Sequence, residues 1–147
     1  DYAYIHRAIP DLMKKWNCSH LASDYGMGEG PNSEIRSRIG FEKVIPFQHN
    51  NNQKELMLWN AKMSAYTLNR NASMLRLFSA MKKRKMEFPA WEYFKPFAED
   101  IMNIQSEFDE ETGRMRFTNI GPDDFFHSLL YALMAIDRRD GETLLDS

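Results

Sequence analysis

Apolar residues recur every three or four positions in several parts of the chain, which is the spacing of a buried helical face. The segments with this pattern span roughly residues 1–17, 73–85, 90–104 and 122–138. The last is the clearest, because Phe126, Leu130 and Met134 share one face. Pro10 and Pro96 interrupt two of the patterns, so each of those helices is predicted to kink or restart.

Shorter apolar runs, bounded by glycine, proline or asparagine, predict strands. One covers residues 20–23, and another, FEKVIPF, covers 41–47. Between them a glycine-rich stretch from Gly26 leads into a short helix, with Ser33 as its cap. A strand, a helix and a strand in this order favour parallel strands joined by a right-handed crossover.

The second half of the chain carries weaker strand signals. Residues 63–69 predict a third strand or an extended segment, and 86–89 predict a short strand or an extended link. Alternation on both sides of Thr112–Gly113 predicts a hairpin over 106–119. Together these elements predict an α/β fold in one domain spanning 1–147, with crossover units first and a hairpin before the last helix.

Composition narrows the class of protein. The 147 residues are 43% hydrophobic, which is typical of a globular domain. A formal net charge of −2 gives no general attraction to a polyanion, so nucleic acid would have to meet a local basic patch. Cys18 is the only cysteine, which excludes an internal disulfide and fits a reducing compartment. No apolar run has the length of a membrane span, so no membrane partner is expected.

Two acidic features could carry chemistry. Asp24 directly follows the first predicted strand, at the edge where open α/β sheets build their sites. The glycine loop after it, which includes Gly28, would let a ligand approach the backbone. Asp123 and Asp124 open the final helix, with Pro122 as its first residue. Each feature also has an ordinary explanation, since aspartate is common in turns and acids favour helix N-termini.

The final helix gives a reason to combine these acids. Asp124, His127 and Tyr131 lie on one polar stripe, where a solvent-facing helix would carry lysine or glutamate. The stripe fits either a capped, partly buried helix or a face turned towards a metal, with Asp124 as ligand and His127 as ligand or proton carrier. Carboxylates suit Mg²⁺ and Mn²⁺, and two such ions about 4 Å apart can clamp the oxygens of a phosphoryl displacement. Asp24 and Asp124 are therefore expected to meet at one edge of the sheet.

Five motifs stand in a fixed order along the chain: HLASDYGMGEGPNSEIRSRIG, VIPFQ, YTLNR, MLRLFSAMKKRKMEFP and GPDDFFHSLLYALMA. In this order they resemble the nuclease domain of phage terminase large subunits, the motors that package viral genomes. The similarity covers roughly residues 20–136. It implies an RNase H-like (integrase-like) fold, with a mixed sheet flanked by helices. It also implies metal-dependent cutting of concatemeric double-stranded DNA.

Carried onto this sequence, the resemblance makes Asp24 the second acid of the family's site and the Asp123–Asp124 pair its last, with His127 as an auxiliary. Asp124 is preferred as the ligand because it shares its stripe with His127 and Tyr131. The implied cofactor is Mg²⁺ or Mn²⁺ in a two-metal site. The implied partners, in the host cytoplasm, are double-stranded DNA, the rest of the large terminase with its ATPase domain, the small terminase and the portal.

The sequence also departs from the family. The family's first acid lies on the first strand of the sheet, and neither Asp1 nor Asp11 fits that position. The phosphate-binding motif of the ATPase domain is absent. The chain is therefore expected to be the C-terminal part of a larger protein, incomplete at its N-terminus. A missing central strand would expose a sheet edge, which predicts a homo-oligomer or strand pairing with a partner.

DNA contacts are expected at local basic groups, namely Arg36, Arg38, Lys82, Lys83, Arg84, Lys85, Arg114 and Arg116. The run 82–85 is equally explained as a helix C-terminus, where cations complement the dipole. Two alternatives to a terminase nuclease stay open. One is another RNase H-like nuclease, such as a resolvase or transposase. The other is a non-catalytic module that binds DNA or a packaging partner.

Overall fold

The computed structural model describes residues 2–26 and 29–140, so Asp1 and the loop residue Gly28 lie outside the described part. In chain order the elements are α1 (Tyr2–Lys15), β1 (Leu21–Asp24), α2 (Glu29–Ile39), β2 (Val44–His49), β3 (Met57–Asn60), β4 (Ala65–Leu68), α3 (Arg70–Lys82), α4 (Trp91–Met102), β5 (Ile104–Asp109), β6 (Arg114–Asn119) and α5 (Asp124–Asp140). The predicted α/β class, with a mixed sheet flanked by helices, is confirmed.

The main sheet has the strand order β1-β2-β4-β3. β1, β2 and β4 run parallel, and β3 pairs antiparallel with β4 at one edge. The predicted crossover is confirmed, since α2 connects the parallel strands β1 and β2. β1 forms the other edge, and no strand of the described residues pairs with its outer side.

Helices cover both faces of this sheet. On one face α2 is tied to the strands, because Ser23 donates to Asn32 Oδ1 at 2.6 Å and Arg36 donates to the carbonyl of Val44 at 3.2 Å. On the other face lies α5, where the ring of Tyr131 stacks on Phe47 with centroids 5.6 Å apart. The sheet therefore lies between two helices, and this arrangement fixes the position of α5 over the carboxyl ends of the strands.

The core lies between the sheet, α3 and α5. Its largest fully buried apolar side chains are Phe47, Phe126, Leu68, Met74, Leu77, Leu130 and Met134. Burying each such side chain contributes about 2 kcal/mol to folding before the cost of ordering it. The face predicted for the last helix is confirmed, since Phe126, Leu130 and Met134 are all fully buried. The core therefore holds α5 in place through this buried face.

The hairpin β5–β6 forms a separate two-stranded sheet, as the alternation around Thr112–Gly113 predicted. Its turn contains Gly113 with a φ of 65°, a conformation that glycine adopts without strain. Phe117 on β6 is buried and packs against Phe78 of α3, with ring centroids 5.5 Å apart. The hairpin is thus anchored to the core by its second strand.

Several element boundaries differ from the sequence prediction. α2 begins at Glu29, so Ser33 lies inside the helix and is not its cap. α3 begins at Arg70 because the side chain of Asn69 caps it, accepting the Ala72 N–H at 2.9 Å. α5 begins at Asp124, which leaves Pro122 outside the helix.

The strand predictions also need correction. In FEKVIPF only the part from Val44 is strand, since Phe41–Lys43 form a 3₁₀ turn. The segment 86–89 is an irregular link, and β3 over Met57–Asn60 was not predicted.

α1 and α4 both continue through their prolines without a break. Among the described residues, no helix is both long and apolar enough to cross a bilayer.

Candidate functional site

A cavity of about 560 Å³ opens at the carboxyl edge of the parallel strands, beside the start of α5. Its polar lining includes three carboxylates, two imidazoles, one phenol and one guanidinium: Asp24, Asp123, Asp124, His49, His127, Tyr131 and Arg70. The four residues predicted as the site, Asp24, Asp123, Asp124 and His127, all line this one cavity. The fold therefore brings together the acidic features that the sequence separates.

The parallel strands explain why these groups converge. Asp24 is the last residue of β1, and it lies opposite Phe47 in the register of β2. His49, two residues beyond Phe47, ends β2 at the same edge. Arg70 begins α3 immediately after β4 and its cap residue. Because parallel strands end at a common edge, the residues that follow them face one space.

A hydrogen-bonded chain of three side chains crosses the cavity wall. His127 Nε2 lies 3.0 Å from Asp123 Oδ2, and His127 Nδ1 lies 3.4 Å from His49 Nε2. Asp123 Oδ2 also accepts the side-chain amide of Asn119 at 3.2 Å. Asp123 is thus the acid that holds His127, whereas the shared polar stripe had favoured Asp124 as the acid beside it.

The surroundings of His49 lower its pKa. Burial, followed by the neighbouring charges of His127 and Arg70, lowers the pKa of His49 from 6.5 to about 4, against the opposing effect of Asp123. If His127 donates from Nε2 to Asp123, its Nδ1 can accept the N–H of His49. Donation then runs in one direction, from His49 through His127 to the carboxylate of Asp123.

Asp24 is oriented by Tyr131. The phenol lies 3.5 Å from Asp24 Oδ1, and burial followed by the charge of Asp24 raises the pKa of Tyr131 well above its ordinary value. Tyr131 therefore stays protonated and can donate to the carboxylate. Gly26 leaves room for the Asp24 side chain, because a Cβ at this position would lie 3.3 Å from Asp24 Oδ2, and its φ of 51° disfavours other residues. The glycine lets the chain turn closely around Asp24.

Asp124 is the exposed acid of the site. It is the first residue of α5, and among the described residues its carboxylate has no hydrogen-bond partner. Asp24 is also exposed. These two carboxylates therefore face the cavity with acceptor oxygens available to a ligand, whereas Asp123 is engaged by His127 and Asn119.

The cavity lining offers some of the ligands that a divalent cation requires. Among residues 2–26 and 29–140, no three histidine, cysteine, aspartate or glutamate side chains are grouped closely enough to form a complete metal site. Mg²⁺, however, usually binds one or two carboxylates and completes its coordination with water and substrate phosphate. Among the carboxylates and the guanidinium of the lining, three negative groups face one positive group. The donor chemistry thus fits a hard divalent cation shared with a ligand.

The predicted DNA contact at Arg36 is wrong. Arg36 is 7% exposed, and its guanidinium donates to the carbonyls of Val44 and Ser64 and lies 4.0 Å from the centre of the Phe41 ring. Arg36 therefore holds α2 on the sheet. Arg38 is exposed on α2 and pairs with Glu34 at 3.2 Å. Neither arginine lines the cavity.

The other predicted DNA contacts are exposed but lie away from the cavity. The run 82–85 begins at the last residue of α3, about 18 Å along the helix from Arg70. On β6, Arg116 and Arg114 lie opposite Glu107 and Asp109. They are about 10 Å and 17 Å along the strand from Asn119, which contacts the site. These cations do not form one patch around the carboxylates.

Two lining residues, His49 and Arg70, received no role from the sequence. His49 could have been found by extending the second strand to its end, since the carboxyl ends of parallel neighbours share an edge. Arg70 lies in YTLNR, a motif of the resemblance, directly after a predicted strand. A search for polar residues after every parallel strand would have included both.

The chain was compared with models of protein families, with curated proteins and with solved structures, and nothing matches it in any of the three.

Proposed function

We propose that the chain is the metal-dependent endonuclease domain of a viral DNA-packaging terminase, with an RNase H-like fold. The observation that carries the proposal is the meeting of Asp24 and Asp124 in one cavity at the carboxyl edge of the parallel strands. Phosphodiester hydrolysis assisted by divalent cations depends on ligands that hold the cations beside the scissile bond, and carboxylates are suitable ligands for them. The same cavity supplies a histidine chain and a guanidinium, which suit proton transfer and phosphate binding.

In this proposal Asp24 and Asp124 hold Mg²⁺ or Mn²⁺, and Asp123 contributes through His127. A bound divalent cation would supply a water with a lowered pKa and would stabilise negative charge on a phosphoryl oxygen. The residues of the chain do the rest. Tyr131 donates to the Asp24 carboxylate, while Asp123 and His49 engage the two ring nitrogens of His127 and hold that side chain beside the cavity.

Broader parts of the proposal follow the resemblance. The domain would act on concatemeric double-stranded DNA in the host cytoplasm, as the C-terminal part of a large terminase whose ATPase domain lies elsewhere in the protein. The small terminase and the portal would be its partners. The exposed cations of residues 82–85, together with Arg38, Arg114 and Arg116, would contact DNA beyond the cleaved bond.

A plasmid-nicking assay with Mn²⁺ or Mg²⁺ tests the proposal. Asp24→Ala and Asp124→Ala are expected to abolish nicking, because each removes a carboxylate that faces the cavity. Asp11→Ala is the matched control, since Asp11 is an exposed acid of α1 outside the cavity, and it should nick like the unaltered chain. Nicking that survives in either cavity variant would contradict the proposal.

A second candidate is a non-catalytic module of the same fold that binds DNA or a packaging partner. It is favoured by the lack of a complete three-residue metal group within the described part of the chain. Salt-sensitive DNA binding without nicking in either metal would support this candidate over the nuclease.

A further inference from the structure

Arg70 occupies an unusual position for a cation. It is the only lysine or arginine among the residues that line the cavity, which it shares with Asp24, Asp123 and Asp124. Yet no carboxylate of the described residues lies within 4.0 Å of its guanidinium. A partly buried guanidinium that faces three acids without pairing with any of them remains available to an anion from outside the chain.

The stability of α3 does not explain this arginine. Arg70 is the first residue of the helix, and the N-terminus is capped by Asn69, whose side chain accepts the Ala72 N–H at 2.9 Å. A cation in the first turn opposes the positive end of the helix dipole, so it disfavours the helix. By contrast Arg76, on the same helix, is explained by its bidentate contact with Asp137.

The cavity around Arg70 holds charges of both signs. Asp24 and Asp124 offer oxygen acceptors, and Arg70 lies near enough to His49 and Tyr131 for its charge to lower the pKa of both. An anion that bound in this cavity would meet the Arg70 cation, and it would need a divalent cation to offset the carboxylates. A phosphodiester group has this requirement, because its non-bridging oxygens can contact a guanidinium and a metal at once.

We infer that Arg70 binds a non-bridging phosphate oxygen of a nucleic-acid strand and seats the phosphodiester against the Asp24 and Asp124 carboxylates. This rests on the proposed function, since it names the group that receives the substrate phosphate. Arginine suits the task because its planar fork makes two parallel hydrogen bonds to a phosphate, whereas lysine offers a point charge.

Binding without cleavage tests this inference independently of catalysis. A short fluorescein-labelled DNA duplex is titrated with the chain in EDTA and again in Ca²⁺, over a series of salt concentrations, and fluorescence anisotropy gives Kd. Arg70→Gln is expected to raise Kd about tenfold, as expected for one lost hydrogen-bonded contact to a charged group. It should also reduce the slope of log Kd against log salt by about 1, the value for one phosphate contact.

Two further variants make the result specific. Arg70→Lys should keep the salt slope but recover only part of the affinity, because it restores the charge without the fork. Arg7→Gln removes an exposed arginine of α1 that lies outside the cavity and outside the predicted DNA contacts, and it should leave Kd unchanged. The thermal midpoint of Arg70→Gln should not fall, since the arginine disfavours the start of α3.

The possible outcomes separate this inference from the proposed function. An unchanged Kd and salt slope in Arg70→Gln would overturn the inference even if plasmid nicking requires Asp24 and Asp124. Absence of DNA binding by the unaltered chain in both conditions would overturn it as well. The expected loss in Arg70→Gln, in a chain that does not nick DNA, would support the phosphate contact while the nuclease proposal fails.

Discussion

His49 is a partly buried histidine of the cavity wall. It lies at the end of β2, within hydrogen-bonding reach of His127, and its pKa falls from 6.5 to about 4, chiefly because it is buried. In the unfolded chain the imidazole takes up a proton below pH 6.5, whereas in the folded chain it does so only near pH 4. The stability that depends on neutral His49 is therefore complete above pH 6.5 and is lost as the pH falls towards 4.

This predicts a measurable dependence of folding on pH. Between pH 7 and pH 5 the unaltered chain should lose about 2 kcal/mol more free energy of unfolding than His49→Gln does. Urea denaturation of both proteins at the two pH values gives the comparison, and the exposed histidine His20 contributes equally to each. Equal losses in the two proteins would show that His49 is not held neutral by the fold.

The sequence identifies acids more readily than it identifies their partners. Asp24 and Asp124 could be predicted because a strand end and a helix start are visible in the pattern of apolar residues. The acid that holds His127 could not be predicted, because helical spacing places both Asp123 and Asp124 near that histidine. Only the side-chain conformations select Asp123. The prediction that Arg36 contacts DNA failed for a related reason, because burial of a cation depends on tertiary contacts.

Among the elements, α3 and α5 carry opposite sides of the site and are joined by one ion pair. Arg76 of α3 donates twice to Asp137 of α5, with both distances 2.8 Å, and Asp137 is 5% exposed. A carboxylate this deeply buried depends on its partner, because removing one member of a buried pair leaves an uncompensated charge. The pair therefore fixes α5, which carries Asp124 and His127, relative to α3, which begins at Arg70.

Arg76→Leu is expected to lower the free energy of unfolding by about 2 kcal/mol, less than for a fully buried pair because Arg76 is partly exposed. The double variant Arg76→Leu/Asp137→Leu should recover most of that loss, since neither charge then remains buried alone. Chemical denaturation of the single and double variants measures both effects. A double variant as unstable as the single one would contradict this account of the pair.

The sequence predicted which segments are helices and strands better than it predicted where each of them begins and ends. The long apolar faces of α3 and α5 and the alternation of the β5–β6 hairpin are local patterns, so they could be read directly. β3 was missed because its four residues have mixed exposure and are held in place by pairing with β4. The earlier starts of α2 and α3 depend on turn and cap geometry that apolar spacing does not contain.

At the scale of the whole molecule, β1 forms an edge of the main sheet. Its inner side pairs with β2, and the Tyr25 N–H bonds the carbonyl of Phe47 at 2.8 Å. Backbone groups alternate in direction along a strand, so the N–H and carbonyl of Ala22 point away from β2, towards the outer side. Within the described residues no strand covers that side.

An uncovered edge predicts strand pairing between copies of the chain. Size-exclusion chromatography with light scattering should detect a dimer whose population rises with concentration. Ala22→Pro should reduce it, because proline removes an outward N–H without disturbing the ladder to β2. A stable monomer at all concentrations would contradict this prediction, and circular dichroism would verify that the proline variant stays folded.

The central claim is that Asp24 and Asp124 bind one divalent cation together. Isothermal titration with Mn²⁺ tests it most directly, using the unaltered chain, Asp24→Ala, Asp124→Ala, the double variant and the control Asp11→Ala. Each single cavity variant should weaken Mn²⁺ binding about tenfold or more. The double variant should lose little beyond that, because ligands of one ion do not contribute additively. Mn²⁺ affinity unchanged by either single substitution would contradict the claim.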